Sequence, residues 1–250
     1  MAGRDVKKAE GKGGGYLWDE EPPPPGPRPL LSRQKVVEAA IAKADTEGVD
    51  AVSMRRLATG LGVGTMTLYR YVPSKDDLLV LMNDAVLGED EPPDRPSGDW
   101  RADLMRVMRL QRSVARRHPW WVETAVGRPP IGPNALRINE FALGALARFD
   151  LDIAVMQALV ALLKSYVLGA VTSELAEESV VRESGADAEE RRESLVPWAR
   201  RLVAEGRHPL TVRYMAEAEG WDGDRTFQFG ADRVLDGIAA MLPDVDVKSG

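Results

Sequence analysis

Residues 53–75 bring together side chains whose types and spacing suit contact with a nucleic acid. Thr65, Met66, Thr67, Tyr69 and Tyr71 set hydroxyls, a thioether methyl and two aromatic rings within seven residues, around Leu68. Hydroxyls bond phosphate oxygens or base edges, and methyl and aromatic carbons pack on thymine methyl groups. Arg55 and Lys75 add cations on either side. An arginine can bond guanine O6 and N7 together, which discriminates against a wrong base by about 1–3 kcal/mol. A phosphate contact or a solvated charge is the plainer reading of the same residue. An ordinary hairpin of a helical bundle is the plainer reading of the whole stretch, since short motifs carry false positives.

Such side chains need two short helices crossing at a tight turn. Ser53 suits the N-cap of the first. Leu57, Leu61, Val63 and Leu68 supply the contacts between the two, Ala58 allows close approach, and Gly62 falls where the turn needs φ > 0. Pro73 lacks an N–H and stops the second helix near Val72. The pattern is a helix-turn-helix, whose second helix lies in the DNA major groove. An earlier helix with Val36, Val37, Ala40, Ile41 and Ala44 on one stripe is capped by Ser32 and ended by Gly48. Ser74-Lys-Asp-Asp77 opens a fourth, over 75–88, with a variant of the capping box.

Residues 32–88 resemble the DNA-binding domain of the TetR-type (tetracycline-repressor-like) family. The matching stretches are Val36-Val-Glu-Ala-Ala40, Ser53-Met-Arg-Arg-Leu-Ala58, Leu61-Gly-Val63 and Thr67-Leu-Tyr69, followed by Lys75 and Leu78-Leu79. The resemblance implies phosphate contacts for Thr67, Tyr69 and Lys75, and base contacts for Thr65, Met66 and Tyr71. It puts Arg55 where the family often sends a basic side chain to a guanine edge, and Ser53 completes the candidate DNA-binding set. Further on, Arg117-His-Pro-Trp120, Gly127-Arg-Pro129, Phe229-Gly230 and Leu235-Asp-Gly-Ile238 resemble the ligand-binding domain of the tetracycline-repressor branch. In that family a long helix and the last helix build a dimeric four-helix bundle.

Charge agrees with this division. The chain of 250 residues carries a formal net charge of −6. Residues 30–75 nevertheless hold seven basic and four acidic side chains, whereas 76–250 hold 21 basic and 30 acidic. Positive charge sits where phosphates would lie, and an acidic body repels DNA elsewhere. There is no cysteine, so disulfides, thiolate catalysis and cysteine-bound zinc are excluded. No apolar run reads as a membrane span and no signal-type core opens the chain, so a cytoplasmic protein is expected.

Residues 1–29 are Gly- and Pro-rich and are expected to be a disordered arm. Arg4, Lys7, Lys8 and Lys12 could brush phosphates, against the plainer reading of a solvated tail. The DNA-binding domain is expected over 30–88, a linker over 89–98, and a helical ligand-binding and dimerisation domain over 99–242. Helices are expected at 99–117, 119–126, 134–149, 151–180, 187–204, 209–219 and 224–241, with no sheet, so the fold class is all-α. The helix over 151–180 is apolar around most of its girth and needs covering on several sides. Gly230 and Gly237 suggest close packing of the last helix against it and against a second subunit.

Catalytic and metal motifs are missing. His118 and His208 lie far apart without ligand spacing, and no phosphate loop, nucleophile elbow or dinucleotide fingerprint occurs. No cofactor or metal is expected. Repressors of the family that bind magnesium–tetracycline use a histidine just before the Arg-Pro pair. Thr124 or Ala125 stands there, and neither is a good magnesium ligand. The candidate ligand-binding residues are Val107, Gln111, Trp121, Thr124, Arg128 and Glu140, beside Trp120. The expected function is a homodimeric, ligand-responsive transcriptional repressor on a palindromic operator. The alternatives are a helical enzyme or ligand-carrier with an appended basic hairpin, and an architectural DNA binder without effector.

Overall fold

The computed structural model describes residues 16–19, 31–90, 92–126, 131–185, 188–206, 208–217 and 221–243. Most of the stretch expected to be disordered, 1–15 and 20–29, lies outside them, as does Arg128. Within that stretch Tyr16–Asp19 forms one helical turn, and Leu17 is buried. Among the described residues every regular element is a helix.

The first four helices are α1 (Arg33–Glu47), α2 (Met54–Gly60), α3 (Thr65–Tyr69) and α4 (Lys75–Leu87). After them come α5 (Trp100–Arg117), α6 (Trp120–Ala125), α7 (Pro133–Leu146) and α8 (Ile153–Ser184). The chain ends in α9 (Ala188–Ala204), α10 (Pro209–Glu217) and α11 (Gly223–Ala239). Ser32, Ser53 and Ser74 each cap the helix that follows, accepting from the backbone N–H three residues on. Ser74 also donates its hydroxyl to Asp77 at 2.7 Å.

Two compact units result. One holds the chain up to Arg95 together with Arg117–Phe141; the other holds Pro96–Arg116 and the chain from Ala142 onward. In the first unit Val36, Val37, Ala40 and Ala44 of α1 are buried, and α1 packs on α4, whose Leu78, Leu79, Leu81, Met82 and Val86 are buried too.

The second unit is held by α5, α8 and α11. Met156, Leu159, Leu163, Val167 and Val171 form the buried stripe of α8, and Phe227, Ala231, Leu235 and Ile238 that of α11. Arg112 of α5, largely buried, reaches both other helices. Its guanidinium bonds the Glu174 carboxylate at 3.0–3.1 Å and Asp224 at 2.8 Å, and lies 4.5 Å over the Phe227 ring. These carboxylates hold the Arg112 pKa above its ordinary value despite burial.

Outside its stripe α8 stays apolar, with Ile153, Val155 and Leu162 exposed. By length and composition it could cross a membrane, which corrects the expectation that no run is long enough. The reason is that its apolar residues encircle the helix instead of alternating with charge. The structure also separates the two glycines of α11. A Cβ on Gly230 would stand 2.3 Å from the Tyr166 hydroxyl of α8, which donates to the Phe227 carbonyl at 2.8 Å; a Cβ on Gly237 meets nothing within 4 Å. We therefore expect Gly230→Ala to displace the Tyr166 ring and lower stability by about 1–3 kcal/mol. Gly237→Ala should cost the chain's own fold nothing, since helix propensity favours alanine. Urea unfolding of the two variants checks this; equal midpoints would contradict it.

Candidate nucleic-acid interface

The reading unit is α2, a turn, and α3. The turn works because Gly62 takes φ +68, which a Cβ would strain. The Val63 N–H then closes back on the Ala58 carbonyl at 3.0 Å. Leu57, Ala58 and Leu68 are buried, while Leu61 and Val63 at the turn are only half-buried. The second helix is shorter than its sequence suggests. It stops at Tyr69, four residues before the proline expected to limit it. The Arg70 and Tyr71 N–H groups bond the carbonyls three residues back, at 3.2 and 2.9 Å, tightening the last turn out of α geometry. Tyr71 thus stands beyond the helix, and its carbonyl accepts from Arg33 Nε at 3.2 Å.

With Leu68 inward, the other side chains of α3 face out. Met66 is 78% exposed, Tyr69 41%, and Thr65 and Thr67 are half-exposed. Arg55 is exposed on α2, and Lys75 is exposed at the first position of α4. Ser53 is half-exposed; its oxygen accepts from Arg56 N–H at 3.3 Å, which leaves its own O–H to donate. Residues 53–75 contain four cations and no carboxylate. All eight candidate DNA-binding residues therefore lie on consecutive elements of one unit, around one anchored leucine. A surface with cations, outward hydroxyls and a methyl suits phosphate and groove-edge contact.

A second set of residues in the same unit ties this head to α6. Asp45, near the end of α1, accepts from the Trp120 indole N–H at 2.7 Å and lies 2.8 Å from His118 Nδ1. The other ring nitrogen of His118 is 3.0 Å from Glu89, just past α4. Arg117 binds both Glu89 and Asp90. At the far end of α6, Thr124 donates to Asn83 Oδ1 of α4 at 2.7 Å, and Asn83 returns a bond to the Thr124 carbonyl at 3.3 Å. Buried Asp84 of α4 accepts from the Ala135 N–H at 2.9 Å and from Asn134, capping the first turn of α7. Burial raises the Asp84 pKa against the lowering effect of these bonds.

Sequence reasoning missed Asp45, Asn83, Asp84 and Glu89, and found no ligand spacing around His118. The legible signal was the Arg117-His-Pro-Trp120 stretch; its partners lie 27–75 residues away in the chain.

The candidate ligand-binding residues divide between the units. Val107 and Gln111 lie on α5 in the second; Trp121, Thr124 and Glu140 lie in the first. Val107 and Trp121 are buried, Thr124 is buried with its hydroxyl bonded to Asn83, and Glu140 is exposed on α7. Gln111 Oε1 and Trp121 Nε1 are buried polar atoms without a hydrogen-bond partner. Among the described residues no group of three or more His, Asp or Glu is placed to hold a metal ion.

Comparison with known proteins matches both parts of the chain. Residues 36–82 fit the family model for bacterial regulatory proteins of the tetR family, and 92–242 fit the tetracyclin repressor-like C-terminal domain. The HTH-type transcriptional repressor DrrR1 of Streptomyces coeruleorubidus is 38% identical over 228 residues, covering 90% of this chain and 84% of the relative. An HTH-type transcriptional regulator of Saccharopolyspora erythraea is 34% identical over 230 residues, covering 90% and 92%. Among solved structures, the TetR family protein ActR of Streptomyces coelicolor in complex with actinorhodin is 29% identical. It superposes with a TM-score of 0.70 over 84% of this chain and 97% of that one. With a reading head, a helical second part and family matches spanning both, the chain belongs to the TetR family of transcriptional regulators.

Proposed function

We propose that the protein is a homodimeric repressor that α3 seats on a palindromic operator and that a small aromatic effector releases. Residues 30–88 serve as the DNA-binding domain and 99–242 as the effector-binding and dimerisation domain. The observation that carries the reading is the outward face of α3 around buried Leu68, with four cations and no carboxylate in residues 53–75. Thr67, Tyr69, Lys75 and Ser53 hold phosphates; Thr65, Met66, Tyr71 and Arg55 meet base edges.

For the effector, Val107, Gln111, Trp121, Thr124, Arg128 and Glu140 are the proposed contacts. A planar, carbonyl-bearing aromatic compound suits Trp121 Nε1, a buried donor without a hydrogen-bond partner. ActR, which resembles this chain, was solved with actinorhodin. Release follows from the ties of α6. A ligand that shifts α6 pulls on Asp45 through Trp120 and on Asn83 through Thr124, so α1 and α4 move together. An effector that favours the arrangement with the wrong head spacing must lower DNA affinity by linkage.

Two outcomes are expected. The dimer should select half-sites about one helical turn apart, or a multiple of it. Thr67→Ala or Tyr69→Ala should weaken binding to every sequence, whereas Arg55→Ala should cost about 1–3 kcal/mol and relax preference at one base pair. Selection from a random DNA pool checks this, and equal retention of random and selected DNA by the wild type would refute it. Second, actinorhodin should release the operator with EDTA present. Trp120→Phe, which removes the donor to Asp45, should keep operator affinity while shrinking the roughly 5–150-fold effector response. Release that needs added magnesium would contradict the effector assignment, and a full response in Trp120→Phe would contradict the coupling route.

A further inference from the structure

The operator reading assigns four residues to base edges, and three of them stand inside helices: Thr65 and Met66 on α3 and Arg55 on α2. Tyr71 does not. It lies two residues past the end of α3, beyond the hydrogen-bond ladder that makes the other three rigid. A group that discriminates between bases must be held within about 0.5 Å of its productive position. For Tyr71 that hold comes from a different helix.

Arg33 opens α1, on the turn that Ser32 caps and that buried Val36 and Val37 seat in the unit. Its half-buried guanidinium spans two backbone carbonyls: Nε donates to Tyr71 at 3.2 Å, and Nη1 donates to Leu17, itself buried. The backbone around Tyr71 is thereby pinned at three points. The Tyr71 N–H bonds the Leu68 carbonyl at 2.9 Å, the Tyr71 carbonyl takes Arg33, and the next residue, Val72, is fully buried with its N–H on that same Leu68 carbonyl at 3.1 Å. The Tyr71 side chain stays half-exposed. A planar guanidinium holds two acceptors in a fixed relative geometry, which a lysine ammonium does not.

We infer that Arg33 is the positioning residue for Tyr71, fixing the backbone from which that ring meets a base edge and so setting preference at one base pair. The inference rests on the operator reading above and adds to it a residue that touches no base itself. The competing role for a cation at the start of α1 is a phosphate contact. Two of the three guanidinium nitrogens already donate to protein carbonyls, which favours positioning. The roles differ in what the DNA reports: a phosphate contact is indifferent to sequence and adds salt dependence, whereas positioning acts at the Tyr71 base pair alone.

The test uses the full chain. Selection from a random DNA pool gives the wild-type preference, and Tyr71→Ala marks the base pair that Tyr71 reads. Arg33→Lys, which keeps the charge but loses the fork, and Arg33→Gln should both relax preference at that base pair and at no other. Each should remove most of the roughly 5–150-fold discrimination that one base pair carries. Added to Tyr71→Ala, either change should alter preference no further, because the two residues act as one unit. The slope of log K against log salt, followed by fluorescence anisotropy, should keep its wild-type value. Uniform loss across all sequences overturns the inference, whether it comes from a lost phosphate contact, marked in Arg33→Gln by a slope lower by about 0.9, or from a loosened head, marked by a lower unfolding midpoint. A wild-type profile in both Arg33 variants overturns it as well. If Tyr71→Ala relaxes no position, or the wild type selects no sequence, it is the operator reading that falls.

Discussion

A helix of five residues cannot hold itself together in water, since nucleation alone outweighs so few hydrogen bonds. The helix α3 exists because Leu68 is fully buried and because Gly62 turns the chain through a left-handed conformation into it. One anchored leucine fixes both the position and the rotation of α3. The outward set of Thr65, Met66, Thr67 and Tyr69 follows from that single contact, since residues flanking an inward position on a helix must face away. The outward face that α3 presents depends on this geometry.

The second dependency is mechanical. Six-residue α6 has no regular side-chain cap of its own. It is bonded instead at both ends to the reading head, through Trp120 and His118 to Asp45 and through Thr124 to Asn83. Buried and half-buried polar pairs of this kind are directional, so they fix the position of α6 more narrowly than an apolar contact would. Asp84 extends the same logic by capping α7 from α4. Unpartnered Trp121 Nε1 and Gln111 Oε1 stand out against this background, because nearly all buried polar atoms in proteins are paired.

In the second unit the organising group is Arg112. A guanidinium that binds carboxylates from two other helices and stacks on Phe227 fixes the register of α5, α8 and α11 at once. Apolar residues remain exposed on α8 beyond its buried stripe, and an uncovered apolar helix face is what a second subunit of a dimer would bury.

The amino-acid sequence by itself determined the local devices. Serine caps at 32, 53 and 74, the positive φ at Gly62, the inward Leu68 and the helical class of the second part are set by neighbours within a turn or two, so periodicity and cap chemistry reveal them. It overextended α3, because a proline marks only the furthest possible end of a helix and not the point where the carbonyl bonding tightens. Tertiary structure alone decided the long-range pairings. Asp45 looks like any solvated acid near a helix end until Trp120, 75 residues on, donates to it. Gly230 and Gly237 look alike in the sequence, yet only Gly230 faces an aromatic ring of another helix. Such distinctions depend on which side chain arrives from a distant part of the chain, and nothing in a residue's own neighbourhood encodes that arrival.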